Sequence, residues 1–154
     1  MTMSKKLYLM LFFRLGLVVL ACVVGCTPAV QVDLTGGWSG TYSYTTGPMT
    51  SLTSSFSMDL VDDDGRIRGS VTLPSYGMLT FDLPVTRGET HADTVVLDAL
   101  GVNDQVTPPA TVRFSLDGKV TATAMSGIGT HTVNGTSYAF TWQATLVAPP
   151  PAES

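Results

Sequence analysis

The stretch that decides the fold is Tyr138–Leu146, which reads YAFTWQATL. Apolar side chains occupy alternate positions from Tyr138 onward, and Thr141, Gln143 and Thr145 stand between them. Successive side chains of a β-strand point to opposite faces of a sheet, so this alternation predicts a strand with one buried face.

The same alternation occurs in seven earlier runs of the chain, and none of the runs has the 3.6-residue period of a helix. We expect turns between strands at Asp62–Gly65, Arg87–Glu89, Asp117–Gly118 and Asn134–Gly135. Asp-Gly and Asn-Gly readily adopt the positive φ angles that tight hairpins require. The seven runs are Trp38–Thr45, Leu52–Leu60, Arg66–Leu73, Leu79–Val85, Val95–Leu97, Thr111–Leu116 and Val120–Met125.

Eight consecutive one-faced strands with short connections predict an all-β protein. The expected architecture is a single up-and-down antiparallel β-barrel, because closure buries the apolar face and removes the exposed edges. A two-sheet β-sandwich is the main alternative. An outer-membrane barrel also alternates, but its strands are longer and its outer face is the apolar one.

The N-terminal segment has the features of an export signal. Lys5, Lys6 and Arg14 precede the apolar run Leu15–Val24, which has the length of a signal-peptide core rather than of a spanning helix. The run ends in Val23-Val24-Gly25-Cys26, which resembles the lipobox of bacterial lipoproteins.

This resemblance implies cleavage before Cys26 and attachment of a diacylglycerol to its thiol. The membrane would then be a partner of the protein through the lipid on Cys26. Val19–Cys22 is a poorer match because Leu20 is bulky, and the alternative is that Cys26 is an ordinary thiol beyond a conventional cleavage site. The expected organisation is a signal peptide (1–25), a lipidated tether (26–34), a barrel domain (35–147) and a Pro-rich tail (148–154).

Charge and cysteine content argue against several classes of function and site. After cleavage, five basic residues remain against twelve acidic ones, which gives a net charge of −7. Such a chain is a poor candidate for binding nucleic acid or anionic lipid headgroups, both of which need clustered Lys and Arg. One cysteine remains, so neither a disulfide nor a thiolate metal site is expected.

The first strand carries a second resemblance. Gly36-Gly37-Trp38 is similar to the Gly-x-Trp signature that opens lipocalins and, more loosely, avidin-like barrels. In those families the Trp closes one end of a barrel and a ligand sits at the other. The chain departs from lipocalins because it has no helical segment after the last strand and no basic residue there to stack on Trp38.

Other candidate sites have simpler interpretations. Asp62, Asp63 and Asp64 lack the remaining ligands of a calcium loop, so we expect a solvated turn. His91 should begin a strand and His131 should lie in a Gly/Thr-rich loop, both at the surface. We expect no metal site and no cofactor. The serines lack a Gly-x-Ser-x-Gly context, so we expect no catalytic residues and no enzyme activity.

The aromatic residues of the predicted inner face are the candidate ligand-binding residues, and an ordinary packed core is the alternative. We therefore expect a non-enzymatic, lipid-anchored envelope protein that binds a small apolar ligand or lipid. The alternative is a structural or partner-binding module with a filled core. In either case we expect the protein at the outer membrane facing the periplasm, or at the outer face of the cytoplasmic membrane in a single-membrane cell. The candidates are Trp38, Tyr42, Phe56, Phe114, Phe140 and Trp142.

Overall fold

A computed structural model describes residues 32–75 and 77–148, and within these ranges every regular element is a β-strand. Eight strands follow one another along the chain. They are β1 (Gly36–Tyr44), β2 (Thr53–Asp63), β3 (Arg66–Pro74), β4 (Thr80–His91), β5 (Thr94–Asn103), β6 (Ala110–Val120), β7 (Ala124–Val133) and β8 (Thr136–Leu146).

The strands form a closed antiparallel barrel in sequence order. Closure is made by β1, which pairs with β2 on one side and with β8 on the other. Trp38 lies opposite Leu146, and Tyr44 lies opposite Phe140. The predicted up-and-down barrel is therefore confirmed, and the sandwich alternative is not observed.

The apolar residues of each alternating strand line the interior, while most Ser, Thr and charged side chains face outward and Thr90 is a buried exception. This arrangement follows from the period of two, which places every second side chain on the inner wall. Twenty-three hydrophobic residues are buried, and the largest with essentially no exposed surface are Trp38, Phe114, Phe140, Leu34 and Met58.

Two predicted turns are wrong, because each lies inside a strand. Arg87–Glu89 is part of β4, and Asp117–Gly118 is part of β6. Both glycines lie where the wall packs tightly rather than at a turn. A Cβ on Gly88 would come within 2.5 Å of the Ile67 carbonyl oxygen, and one on Gly118 within 2.3 Å of the Ser126 carbonyl oxygen.

The turn predicted at Asn134–Gly135 is confirmed, and the one predicted at Asp62–Gly65 is confirmed only at its second half, because Asp62 and Asp63 belong to β2. Asp64–Gly65 and Asn134–Gly135 connect neighbouring strands with positive φ at both residues, as expected for tight hairpins. The strand predicted at Val120–Met125 is wrong, because the chain turns between Val120 and Ala124. Met125 then points inward, where it is buried.

The up-and-down topology gives the barrel two distinct ends. We call the lower end the one that carries the connections β2–β3, β4–β5 and β6–β7, together with the segment 32–35 before β1 and residues 147–148 after β8. The upper end carries the connections β1–β2, β3–β4, β5–β6 and β7–β8. Cys26 and residues 149–154 lie outside the described residues.

Candidate functional site

Four of the six candidate ligand-binding residues form one cluster inside the barrel. The ring centroids of Phe114 and Phe140 are 4.8 Å apart and nearly parallel. The Tyr42 ring lies 5.1 Å from Phe140 and 5.3 Å from Phe114, and Phe56 lies 5.7 Å from Phe114. Aromatic pairs at these separations are in favourable contact, so the rings stabilise one another.

The two tryptophans extend this interior toward the lower end. Trp142 lies 6.3 Å from Phe56, and its indole nitrogen donates to the carbonyl oxygen of Ile128 at 2.9 Å. Trp38 is only 1% exposed, and its indole nitrogen donates to the carbonyl oxygen of Leu34 at 3.0 Å. Both indole N–H groups thus donate to backbone carbonyl oxygens.

Glycines in the wall allow three of these rings to pack directly against the backbone. A Cβ on Gly129 would lie 2.4 Å from the Phe140 ring, and a Cβ on Gly40 would lie 2.7 Å from the Phe56 ring. A Cβ on Gly118 would lie 2.9 Å from the Trp142 ring. The interior space that small wall residues leave at these positions is therefore occupied by aromatic side chains.

The upper end contains a polar pair that sequence reasoning missed. The hydroxyl of Tyr44 and Nδ1 of His131 are 2.5 Å apart, and the two rings are stacked with centroids separated by 6.1 Å. His131 lies on the inner face of β7, so its expected place in a surface loop is wrong. His91 is exposed as expected, but it ends β4 rather than beginning a strand.

Burial changes the acid–base properties of both partners. Desolvation lowers the pKa of His131 to about 4. Desolvation also raises the pKa of Tyr44, and the neighbouring Tyr42 and Tyr138 raise it further. His131 Nε2 is buried and has no hydrogen-bond partner among the described residues. Leaving a buried donor or acceptor unsatisfied is costly, which makes this histidine unusual.

The acidic residues at the junction of β2 and β3 form local hydrogen bonds and an ion pair. One oxygen of Asp62 accepts from the amide of Gly65 at 2.8 Å, and the other from the amide of Leu34 at 3.3 Å. Asp63 forms an exposed ion pair with Arg68. In residues 32–75 and 77–148, no group of three or more metal-ligating side chains comes together.

The outer surface is electrostatically divided. Strands β7, β8 and β1 contain no Asp, Glu, Lys or Arg. The ion pairs lie elsewhere, as in Arg113–Asp98 and Lys119–Asp93. An open depression of about 590 Å³ lies over this side and reaches β6, and its lining includes Ser39, Thr41, Ser126, Gln143, Thr145 and the charged Lys119.

Exposed apolar side chains gather at the upper end. The connection after β3 carries Met78 and Leu79, and the upper half of β5 carries Leu100 and Val102. We call these four residues the apolar rim. Two hydrogen bonds link the end of β5 and the residues after it to the β3–β4 connection and the start of β4. Gln105 Nε2 donates to the carbonyl oxygen of Thr80, and Asn103 Nδ2 donates to the hydroxyl of Ser75.

The architecture defines the protein as a closed eight-stranded antiparallel barrel whose interior holds the six predicted aromatic residues. No protein-family description, curated protein or solved structure matches the chain. None of the described residues belongs to a helix that is long and apolar enough to cross a membrane.

Proposed function

We propose that the protein is an exported, lipid-anchored envelope module that binds a protein partner through the outside of a filled barrel. The observation that carries this proposal is the packing of the interior rings. Tyr42, Phe114 and Phe140 contact one another, and Gly40 and Gly129 let rings reach the wall. A small apolar ligand would have to displace these side chains and their mutual contacts.

The proposed anchor is the lipid on Cys26, and its position gives the barrel an orientation. Only five residues separate Cys26 from Val32, and a fully extended chain spans at most about 3.6 Å per residue, or roughly 20 Å here. Val32 enters the barrel at the lower end. That end therefore faces the membrane, and the apolar rim points away from it.

The apolar rim is the proposed contact surface for the partner. Leu79 is 55% exposed and Val102 is 57% exposed, although both are large apolar residues. Clustered exposed apolar side chains are a common feature of protein–protein contact sites. No Lys or Arg lies in the connections of the upper end, so the partner we propose is a protein with an apolar, weakly charged surface.

The proposed location follows from the anchor. In a cell with two membranes it is the outer membrane facing the periplasm, and in a cell with one membrane it is the outer face of that membrane. The polar outer wall supports a barrel that stands in water rather than in lipid. No enzymatic activity is proposed.

The anchor is tested by comparing Cys26→Ala with the matched variant Cys22→Ala. We expect Cys26→Ala to lose the acyl mass and to remain uncleaved or mislocalised, while Cys22→Ala behaves like the wild type. Mass spectrometry and membrane fractionation provide the readouts. Normal processing and membrane binding of Cys26→Ala would show that the anchor is assigned wrongly.

The partner surface is tested by photocrosslinking in cells. A photoreactive residue is placed at Val102 in one variant and at Ile128, an exposed apolar residue on β7, in the control. We expect a discrete crosslinked protein from Val102, and its loss when Leu79 is changed to Ser. Equal crosslinking from both positions would contradict the apolar rim. A retained small molecule in native mass spectrometry would contradict the filled barrel.

A further inference from the structure

The bond between Tyr44 and His131 joins strands that are not neighbours in the barrel. Tyr44 ends β1 and His131 lies near the end of β7, with β8 between them. The two residues are 87 positions apart in the chain, and their contact crosses the inside of the barrel. It therefore fastens the upper end through a side-chain contact in addition to the strand pairing.

The environment of His131 suits a neutral imidazole. The bond to Tyr44 can run in either direction, with the hydroxyl or Nδ1 as donor, and in both tautomers Nε2 is buried without a partner among the described residues. Protonation makes both ring nitrogens donors: Nδ1–H can donate to the Tyr44 hydroxyl oxygen, but Nε2–H has no acceptor there. It also puts a full positive charge inside an aromatic cluster, where desolvation disfavours the charged form.

The elements packed around the histidine offer no negative charge to compensate. From β1 it is faced by Tyr42 and Tyr44, and their ring contacts with it are 6.4 Å and 6.1 Å. From β6 it is faced by Phe114, and from β8 by its register partner Tyr138. The next residue of β6, Arg113, is bonded to a carboxylate on the outer face. None of the residues named on these three strands supplies a carboxylate that would compensate the charge of a protonated His131.

We propose that His131 is an acid-sensitive latch. Its protonation places an uncompensated positive charge and an unpaired Nε2–H inside the upper end of the barrel, which loosens that end, whereas the lower end stays closed. The exposed imidazole then gains water as a hydrogen-bond partner at both nitrogens. This inference does not require the lipid anchor or the partner proposed above.

The lower end provides the internal reference for this proposal. There the indole of Trp38 donates to the carbonyl oxygen of Leu34, which does not titrate. Mild acid should therefore leave this hydrogen bond of the lower end unchanged. A device confined to one end can be distinguished from general acid unfolding by measuring both ends in the same sample.

The decisive experiment is residue-resolved amide hydrogen exchange of the full-length protein at pH 7 and pH 5, corrected for intrinsic exchange rates. A closed-state pKa of about 4 and an open-state value near 6.5 predict that opening of the upper end increases on the order of 20-fold at pH 5. The change should appear in the last residues of β1 and β7 and the first of β8. Protection at the other ends of these strands should be retained.

Two further measurements make the assignment specific. The imidazole resonances should show His131 titrating well below the ordinary range of a histidine. Tyr44→Phe, which keeps the ring and removes the hydroxyl, should reduce protection of the upper end at pH 7 already. The proposal is overturned if protection falls equally at both ends, if pH 5 changes nothing, or if Tyr44→Phe leaves the upper end as protected as in the wild type.

Discussion

The two ends of the barrel are closed by aromatic residues of the same strand, but their hydrogen bonds differ in kind. At the lower end of β1, Trp38 donates to a backbone carbonyl and is fully satisfied. At the upper end of β1, Tyr44 is bonded to a histidine that leaves one of its own nitrogens buried without a described partner. In the proposal made above, a single strand connects a closure that does not respond to pH with one that does.

This difference shows that burial alone does not determine how firmly an end is closed. Trp38 and Tyr44 are both buried, with 1% and 7% of their surface exposed. The chemistry of the acceptor separates them, because a peptide carbonyl keeps its acceptor role at every physiological pH and an imidazole does not. The predictions below test that distinction, starting with the largest effect.

Removal of the lower closure should be the most damaging change. Trp38→Ala leaves a cavity and an unpaired Leu34 carbonyl group, and we expect the free energy of unfolding to fall by about 3–5 kcal/mol. Urea unfolding of the barrel domain measures this loss as a lower midpoint. Trp38→Phe, which keeps most of the apolar volume, should lose markedly less, and equal losses in the two variants would contradict this view of the closure.

The upper closure should make stability depend on pH. The pKa of His131 is lowered to about 4 in the folded protein, against about 6.5 in the unfolded chain, so the unfolded state binds more protons between these values. The stabilisation is therefore complete above pH 6.5 and lost as the pH falls toward 4, by about 3 kcal/mol in all. Urea titrations from pH 7.5 to 4.5 measure this slope.

The matched control for this slope is His91→Gln, at an exposed position of the same barrel. We expect His91→Gln to keep the wild-type slope between pH 6.5 and 4.5 and His131→Phe to flatten it. Retention of the full slope in a folded His131→Phe variant would assign the effect to other groups. The carboxylates with lowered pKa values, among them Asp98 and Glu89, lose their contribution below about pH 5, so they overlap only the acid edge of this window.

The middle of β1 should be sensitive to size rather than to pH. A Cβ on Gly40 would lie 2.4 Å from the carbonyl oxygen of Gln143 and 2.7 Å from the Phe56 ring. We expect Gly40→Ala to lose about 1–3 kcal/mol through overpacking, measured by urea unfolding. Gly37→Ala is the control on the same strand, because its Cβ would meet Asp59 only at 3.4 Å, and it should be nearly neutral.

Much of the fold could be predicted because alternation is a local signal. Turn residues were less informative, since a glycine serves two purposes in this barrel. Gly135 adopts positive φ in a hairpin, whereas Gly118 lies inside β6 because Trp142 and the backbone of β7 approach it closely. In the sequence, Asn134-Gly135 and Asp117-Gly118 are turn signals of the same kind. Only the position of the neighbouring strand decides between them.

The aromatic interior was predictable for the same reason, but the polar pair was not. The alternation of strand β7 is not visible in the sequence, because the inward positions between Met125 and His131 are the glycines Gly127 and Gly129. Without apolar side chains there, the run resembles a loop. The pairing of His131 with Tyr44 depends on barrel closure through β8, which no local pattern specifies.

The smallest predicted effect concerns the segment that seals the lower end. The carboxylate of Asp62 accepts from the amides of Leu34 and Gly65. The amide of Asp62 donates to the hydroxyl oxygen of Thr35. Asp62→Ala should therefore lose about 1 kcal/mol in urea unfolding, because the carboxylate links the segment before β1 to the β2–β3 turn.

Asp63→Ala is the matched control for Asp62→Ala, since the neighbouring carboxylate makes only an exposed pair with Arg68 at 3.2 Å. Its stability should stay close to that of the wild type. The slope of stability between pH 7.5 and 4.5 should be unchanged in Asp62→Ala, because the residue acts at the end opposite the histidine. If the slope of stability against pH were flattened in Asp62→Ala, the two ends would be coupled. They could then not be treated as independent closures.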